Sequence, residues 1–376
     1  MNFKPLLTIA LGLAHAAAFG IVIRHDRDDA QYRHLAERYK SPVCWLAVGG
    51  HGTLISSRWV VTAAHVADGM SPFTGVATFG DQNVRVKSVY LHPSWGKSGR
   101  QTDLALIELE TPVRGVKPAR LYVKDDEDGK RIVFVGTGYT GTGLAEPKGT
   151  DRAWRAAHNT ITRVDPATLF FKFDAPPEGD ELEGISGPGD SGGPALLEEK
   201  GELYVLGVSS SNSAPRGQGH CTYGSIETYG RVSSNMAWLQ ETMKRRTGAV
   251  PFGKVKSLKA GWPQGPVVEA AQDYIRAFNT GNPDAILEHA QRHWDAEQIS
   301  AATPAARRER TAQRMATFGT LEPRGVLQGP EGQLQVLLYS DRSKRYTVLS
   351  LLPSGPSKVT RVSFSDIPAG IAPVVK

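Results

Sequence analysis

A chain of 376 residues, 40% hydrophobic and 22% charged, is long enough for more than one buried core and too apolar to be disordered. Its net charge of +6 is uneven: residues 21–247 balance 27 Lys/Arg against 27 Asp/Glu, whereas 248–376 hold 16 against 11. Basic residues scattered along helices read as a solvated face, which argues against a nucleic-acid partner, and two cysteines exclude a disulfide-stapled scaffold.

In chain order, 1–20 reads as a signal peptide. Lys4 gives a positive start, an apolar run follows to Ala18, and Ala14-His15-Ala16, Ala16-Ala17-Ala18 and Ala18-Phe19-Gly20 each offer a small-x-small cleavage pattern. The apolar run is shorter than the ~20 residues that span a bilayer, so the expectation is an exported protein, secreted or periplasmic, without stable membrane insertion. From Ile21 onward, short segments rich in Val, Ile, Leu and aromatics alternate with Gly, Pro, Asp and Ser turns, at 44–48, 58–62, 76–79, 84–91, 103–109, 132–136 and 203–208. Lys200-Gly201 reads as a hairpin tip, and no βαβ rhythm appears, so an antiparallel sandwich or barrel pair is expected. A helix closes this part, capped by Ser233 or Ser234, striped by Met236, Leu239 and Met243, and stopped at Gly248.

The stretch 248–265 has Gly and Pro but little periodicity and reads as a linker. Beyond it, over 266–376, Val267, Ala271, Tyr274 or Ile275, and Phe278 repeat at helical spacing, and Asn282-Pro283 caps a second helix through Trp294. A third helix over 304–317 and strands at 326–327, 334–339, 346–352 and 359–364 complete a smaller α+β domain.

The chemistry concentrates in three places. G-P-G-D-S-G-G-P at 187–194 offers Ser191 as a nucleophile, which needs a base to take its proton and an acid to orient that base. V-V-T-A-A-H at 60–65 presents His65 at the end of a β-run, and T-D-L-A-L at 102–106 places Asp103 at the head of another. The order is therefore His, Asp, Ser, with gaps of 38 and 88 residues. Residues 189–193 also satisfy G-x-S-x-G, the nucleophile elbow of esterases. That elbow requires a helix after the serine and its acid and histidine downstream, whereas Pro194 and a hairpin follow here and only His220 could be nominated.

Together and in this order, the three motifs resemble those of the chymotrypsin/trypsin family of serine proteases over 21–247. The resemblance implies a mainly β fold of two six-stranded antiparallel Greek-key barrels with a C-terminal helix. It implies His65 as general base, Asp103 as its orienter, Ser191 as nucleophile, and the N–H groups of Gly189 and Ser191 as an oxyanion hole. It further implies that Asp190 pairs with a new N-terminus. Gly20-Ile21-Val22 resembles the family's mature start, so cleavage before Ile21 would create that latch; the alternative is that Asp190 is a solvated loop acid. The following Ile23-Arg24 departs from the family's Gly-Gly and keeps open a protease-fold binding protein whose activity is latent or lost. A protease-chaperone with a peptide-binding tail is a third reading.

Where the family carries cysteines, His51, Val66 and Gly187 stand, Cys221 has lost its mate, and both thiols are expected free and buried, as in a bacterial-type enzyme. By the same resemblance the substrate pocket comprises Ile185, Ser186, Ser210 and Glu227. Ile185 stands where a trypsin-like pocket has aspartate, and Glu227 is either a selector of basic side chains or a partly solvated strand residue. Ser209, Ser210 and Ser211 follow a strand and offer an edge for extended substrate. Helix order and Y-I-R-A-F-N-T-G-N at 274–282 make the C-terminal region resemble nuclear-transport-factor-2-like domains, a fold that leaves its ligand or partner unspecified. His289 and His293 have i, i+4 metal spacing but lack an H-E-x-x-H context, so solvated or capping histidines are expected and no metal or cofactor is. The expected function is serine endopeptidase action on a protein or peptide.

Overall fold

The computed structural model describes residues 21–96, 102–147, 149–250, 256–258, 261–300, 302–328, 332–354 and 358–367. The signal-peptide reading of 1–20 lies outside the described residues, as does part of the linker.

Six strands close a barrel in the order Val43–Leu46, Gly50–Ser56, Trp59–Thr62, Ala105–Leu109, Gln82–Leu91 and Val76–Phe79. Trp59–Thr62 and Ala105–Leu109 are buried at every position. The second sheet runs Arg155–Thr160, Arg131–Gly136, Pro194–Glu199, Glu202–Ser213, Ile226–Arg231, Thr168–Lys172, Arg163–Val164, with Arg120–Leu121 beside Glu202–Ser213. The first barrel closes by a strand ladder, whereas the second, expected as another six-stranded barrel, is an open half-barrel. Asn159 Nδ2 donates to Lys172 O at 2.9 Å, linking Arg155–Thr160 to Thr168–Lys172 across its open side, and to Gly184 O at 3.2 Å outside this sheet.

Ile21–Ile23 lies between Thr140–Thr142 and Gly184–Ile185 in a small third sheet, fully buried. The helix Asp29–Tyr39 has no counterpart in the sequence reading. Its Tyr32, Ala36 and Tyr39 make a narrow i, i+4, i+7 stripe in an otherwise charged segment, and Asp28 caps it by accepting the Ala30 N–H. The closing helix Met236–Arg245 ends at Arg246, whose φ of 55° is left-handed, not at Gly248. Neither serine caps it: Ser233 instead donates to Glu127, which also holds Arg231.

The C-terminal region sets helices Pro266–Asn279, Pro283–His293, Ala296–Ser300 and Pro304–Phe318 against a five-stranded sheet. The sheet order is Lys256–Ser257, Leu321–Gln328, Leu334–Ser340, Tyr346–Pro353, Val359–Asp366, so part of the presumed linker is its first strand. One face of the sheet buries Val336, Leu338, Leu349 and Leu351 against Tyr274, Ile275 and Phe278 of the first of these helices. Its other face packs Leu327, Leu337 and Val348 on Phe73 of the first barrel's 71–75 loop, which docks this region beside the cleft described next. His289 is buried, not solvated, with Nε2 on Ala270 O at 2.8 Å, while His293 bonds Asp273. Among the described residues no group of three His, Cys, Asp or Glu could hold a metal.

Candidate active site

Two paired strand ends set the first contact. Thr62 faces Ala105 across the ladder, so His65, one turn past the first strand, meets Asp103, two residues before the second. Asp103 Oδ1 accepts the His65 backbone N–H at 2.9 Å, and Oδ2 accepts His65 Nδ1–H at 2.7 Å. Oδ2 also accepts the Ser210 hydroxyl at 2.6 Å. Burial alone would raise the Asp103 pKa, but the His65 and Ser210 bonds and the His65 charge outweigh it and hold the carboxyl below its ordinary value.

Ser210 reaches Asp103 because it is a bulge. Ser209 pairs with Tyr229 and Ser211 with Thr228, so the extra residue between them turns its side chain out of the ladder. The Ser210 side chain therefore meets the Asp103 carboxylate, while its neighbour Ser209 bonds Glu227. Across the same strand pair only glycine fits at 230, since a Cβ there would lie 2.8 Å from Asp103 O.

The 187–194 loop is a series of tight turns. Asp190 N–H bonds Gly187 O at 3.0 Å, Gly193 N–H bonds Asp190 O at 2.9 Å, and Gly192 N–H bonds Ser209 O at 2.8 Å. Gly189 has φ 96°, a conformation that a β-carbon opposes. The strand Pro194–Glu199, not a helix, follows Ser191, which removes the esterase-elbow reading.

His51 braces this loop, a part the motifs gave no sign of. Its Nδ1–H donates to Gly189 O at 2.9 Å, its backbone N–H to Ser191 O at 2.8 Å, and its Nε2 accepts from Thr137 Oγ1 at 3.0 Å. Trp45 and Trp154 pack edge-on against the ring. Complete burial pushes its pKa down to about 4, only partly offset by the Gly189 bond, so the ring is neutral. A carbonyl can only accept, which assigns the proton to Nδ1. The only sequence signal was indirect: His51 stands near a position where the resembling family has cysteine.

Asp190 is buried, not a solvated loop acid. Its Oδ1 accepts Gly138 N–H at 2.7 Å and Oδ2 accepts Gly187 N–H at 2.9 Å, with Ile21 and Thr137 N–H also directed at it. Burial nonetheless raises it to about 6, because no cation among the described residues faces it. Ile21 and Asp190 are thus brought together.

Ile185, Ser186 and Glu227 form a separate buried group. Glu227 is 2% exposed rather than partly solvated; it accepts Ser186 N–H at 2.8 Å and Ser209 Oγ–H at 3.3 Å, and burial raises it to about 7. Cys221 packs against Ile185 and donates to Ser186 O; it and Cys44 are free, buried thiols. Ser191 and His65 line one cleft of about 360 Å³.

A family model described as Trypsin matches residues 35–239. The chain is 27% identical over 254 residues to the CLIP domain-containing serine protease C9 of Anopheles gambiae, covering 60% of this chain and 68% of that protein.

Proposed function

The chain belongs to the trypsin family, and from that premise we propose that it is an exported serine endopeptidase working through a Ser191 acyl-enzyme. The observation that carries this reading is Asp103 holding His65 by two hydrogen bonds in the cleft that also contains Ser191. With Nδ1–H committed to Asp103, His65 Nε2 is the free base. It takes the Ser191 proton as Oγ attacks the substrate carbonyl, and returns that proton to the leaving amine as the C–N bond breaks. Water then repeats the sequence: His65 takes its proton, the acyl ester breaks, and Ser191 regains its hydrogen.

The Gly189 and Ser191 N–H groups are the proposed oxyanion donors. His51 holds both carbonyls, and each such donor typically supplies ~3–4 kcal/mol of transition-state stabilisation. The Ser209–Ser211 edge is the place for extended substrate backbone. Ile185, Ser186, Ser210 and Glu227 are proposed to form the side-chain pocket, in which a charge on Glu227 would need a basic partner.

Ile21 and Asp190 support a latch made by cleavage before Ile21. Ile21 has φ 57°, a left-handed value that costs a β-branched residue ~1–2 kcal/mol. Cleavage before Ile21 would create an ammonium beside the buried carboxylate, lowering its pKa. We place the protease unit at 21–247 and the α+β unit at 266–376, joined through 248–265, whose strand Lys256–Ser257 belongs to the sheet of the second unit, with 1–20 as the export signal. No helix of the described residues is long and apolar enough to cross a membrane.

The test is covalent labelling with a fluorophosphonate probe. Wild type is expected to label and Ser191→Ala not to; absence of labelling of correctly processed wild type overturns the reading in favour of a binding role.

A further inference from the structure

The C-terminal sheet has no free face. Strand residues alternate sides, and the side opposite the helices divides in two. Leu337 and Val348 close over Phe73, which is 1% exposed, and so anchor the sheet to the first barrel. Next to this anchor, Gln335 pairs with Ser350 and Ser350 with Ser363, a polar row crossing three strands. That row lines the cleft containing His65 and Ser191. The cleft volume, about 360 Å³, falls within the ~300–1,000 Å³ typical of ligand-binding sites.

Gln335 supplies a second observation. Its side chain is 5% exposed, yet Oε1 is buried with no hydrogen-bond partner among the described residues. Such orphaned acceptors are rare in folded proteins, and the residue that carries this one lines the cleft. An N–H, which a polypeptide offers at every residue but proline, is a donor of the kind this oxygen lacks.

The position of the cleft identifies which part of a polypeptide. Its barrel wall is Val48, Gly49, Val66 and Gly69, around His65, the residue that protonates the leaving amine. None of Ser209, Ser210 or Ser211, the proposed edge for the acyl side, lines it. We propose that the outer face of the C-terminal sheet is the leaving-group wall of the active site, where Gln335 accepts an N–H from the departing segment and selects substrates extending beyond the scissile bond. This rests on the protease reading of the same cleft.

The test compares two substrates with one acyl part, chosen from a mixed-peptide cleavage profile. One is an anilide that ends at the scissile bond; the other continues for three residues. For the full chain, the ratio of kcat/KM, extended over anilide, is expected to favour the extended substrate. Gln335→Met, which keeps length but removes the acceptor, should lower that ratio about fivefold. Ser350→Trp, at a partly exposed position that fills the cleft, should lower it more than tenfold and provides the readout if Gln335→Met does not fold. Equal ratios in wild type and the folded variants, with fluorophosphonate labelling intact, overturn the inference alone. A wild type that neither labels nor turns over the anilide overturns the protease reading and this inference with it.

Discussion

Replacing His51 by glutamine tests whether a neutral buried imidazole braces the nucleophile loop. The folded pKa of His51 is about 4 against 6.5 for a free histidine. Between these values the unfolded chain binds more protons than the folded one, so the His51 contribution to stability is full above pH 6.5 and is lost as pH falls through 4. Integrating the linkage from pH 8 to pH 4.5 gives about 2.5 kcal/mol for one fully buried group. Asp190, raised to about 6, and Glu183 and Glu227, raised to about 7, act in the opposite sense: they add stability as pH falls from 7 to 4. A single pH–stability curve therefore mixes the two, and the difference between two proteins is the useful quantity. In a Ser191→Ala background, which prevents self-cleavage, urea unfolding with and without His51→Gln should show glutamine less stable by about 1–2 kcal/mol at pH 8, from the imperfectly replaced hydrogen bonds. That deficit should vanish or reverse by pH 4.5. Parallel curves across this range would refute the assignment of a neutral, titration-resistant His51.

Two further outcomes follow from the site. Ser210→Ala removes one hydrogen bond from the Asp103 carboxylate that orients His65, so kcat should fall roughly tenfold with KM little changed; an unchanged kcat would make Ser210 a mere edge residue. N-terminal sequencing of the mature protein should begin at Ile21, and a start at Ala17 or Phe19 would exclude a latch made by signal cleavage.

Much of the proposed chemistry was legible because each part is encoded within a few residues. V-V-T-A-A-H and T-D-L-A-L each join a strand to a single polar residue, and pairing those strands suffices to bring His65 to Asp103. The Ser191 loop is likewise local, since its glycines are needed for its own turns. The helix Asp29–Tyr39 was not legible, because three buried residues in eleven give too thin a stripe. The bond from Ser210 to Asp103 was not legible, because a bulge shifts side-chain direction without altering composition.

By itself, then, the sequence determined residue type, order and local geometry: a β-rich first part, a helix-then-strand second part, and a nucleophile, base and acid on separate short motifs. Only the tertiary structure decided what each group faces. Burial converts His51 into a brace and encloses Asp190 and Glu227, and the docking of Phe73 brings Gln335 to the cleft. These outcomes depend on contacts between segments tens to hundreds of residues apart, and desolvation and hydrogen bonding act through those contacts rather than through neighbours in the chain.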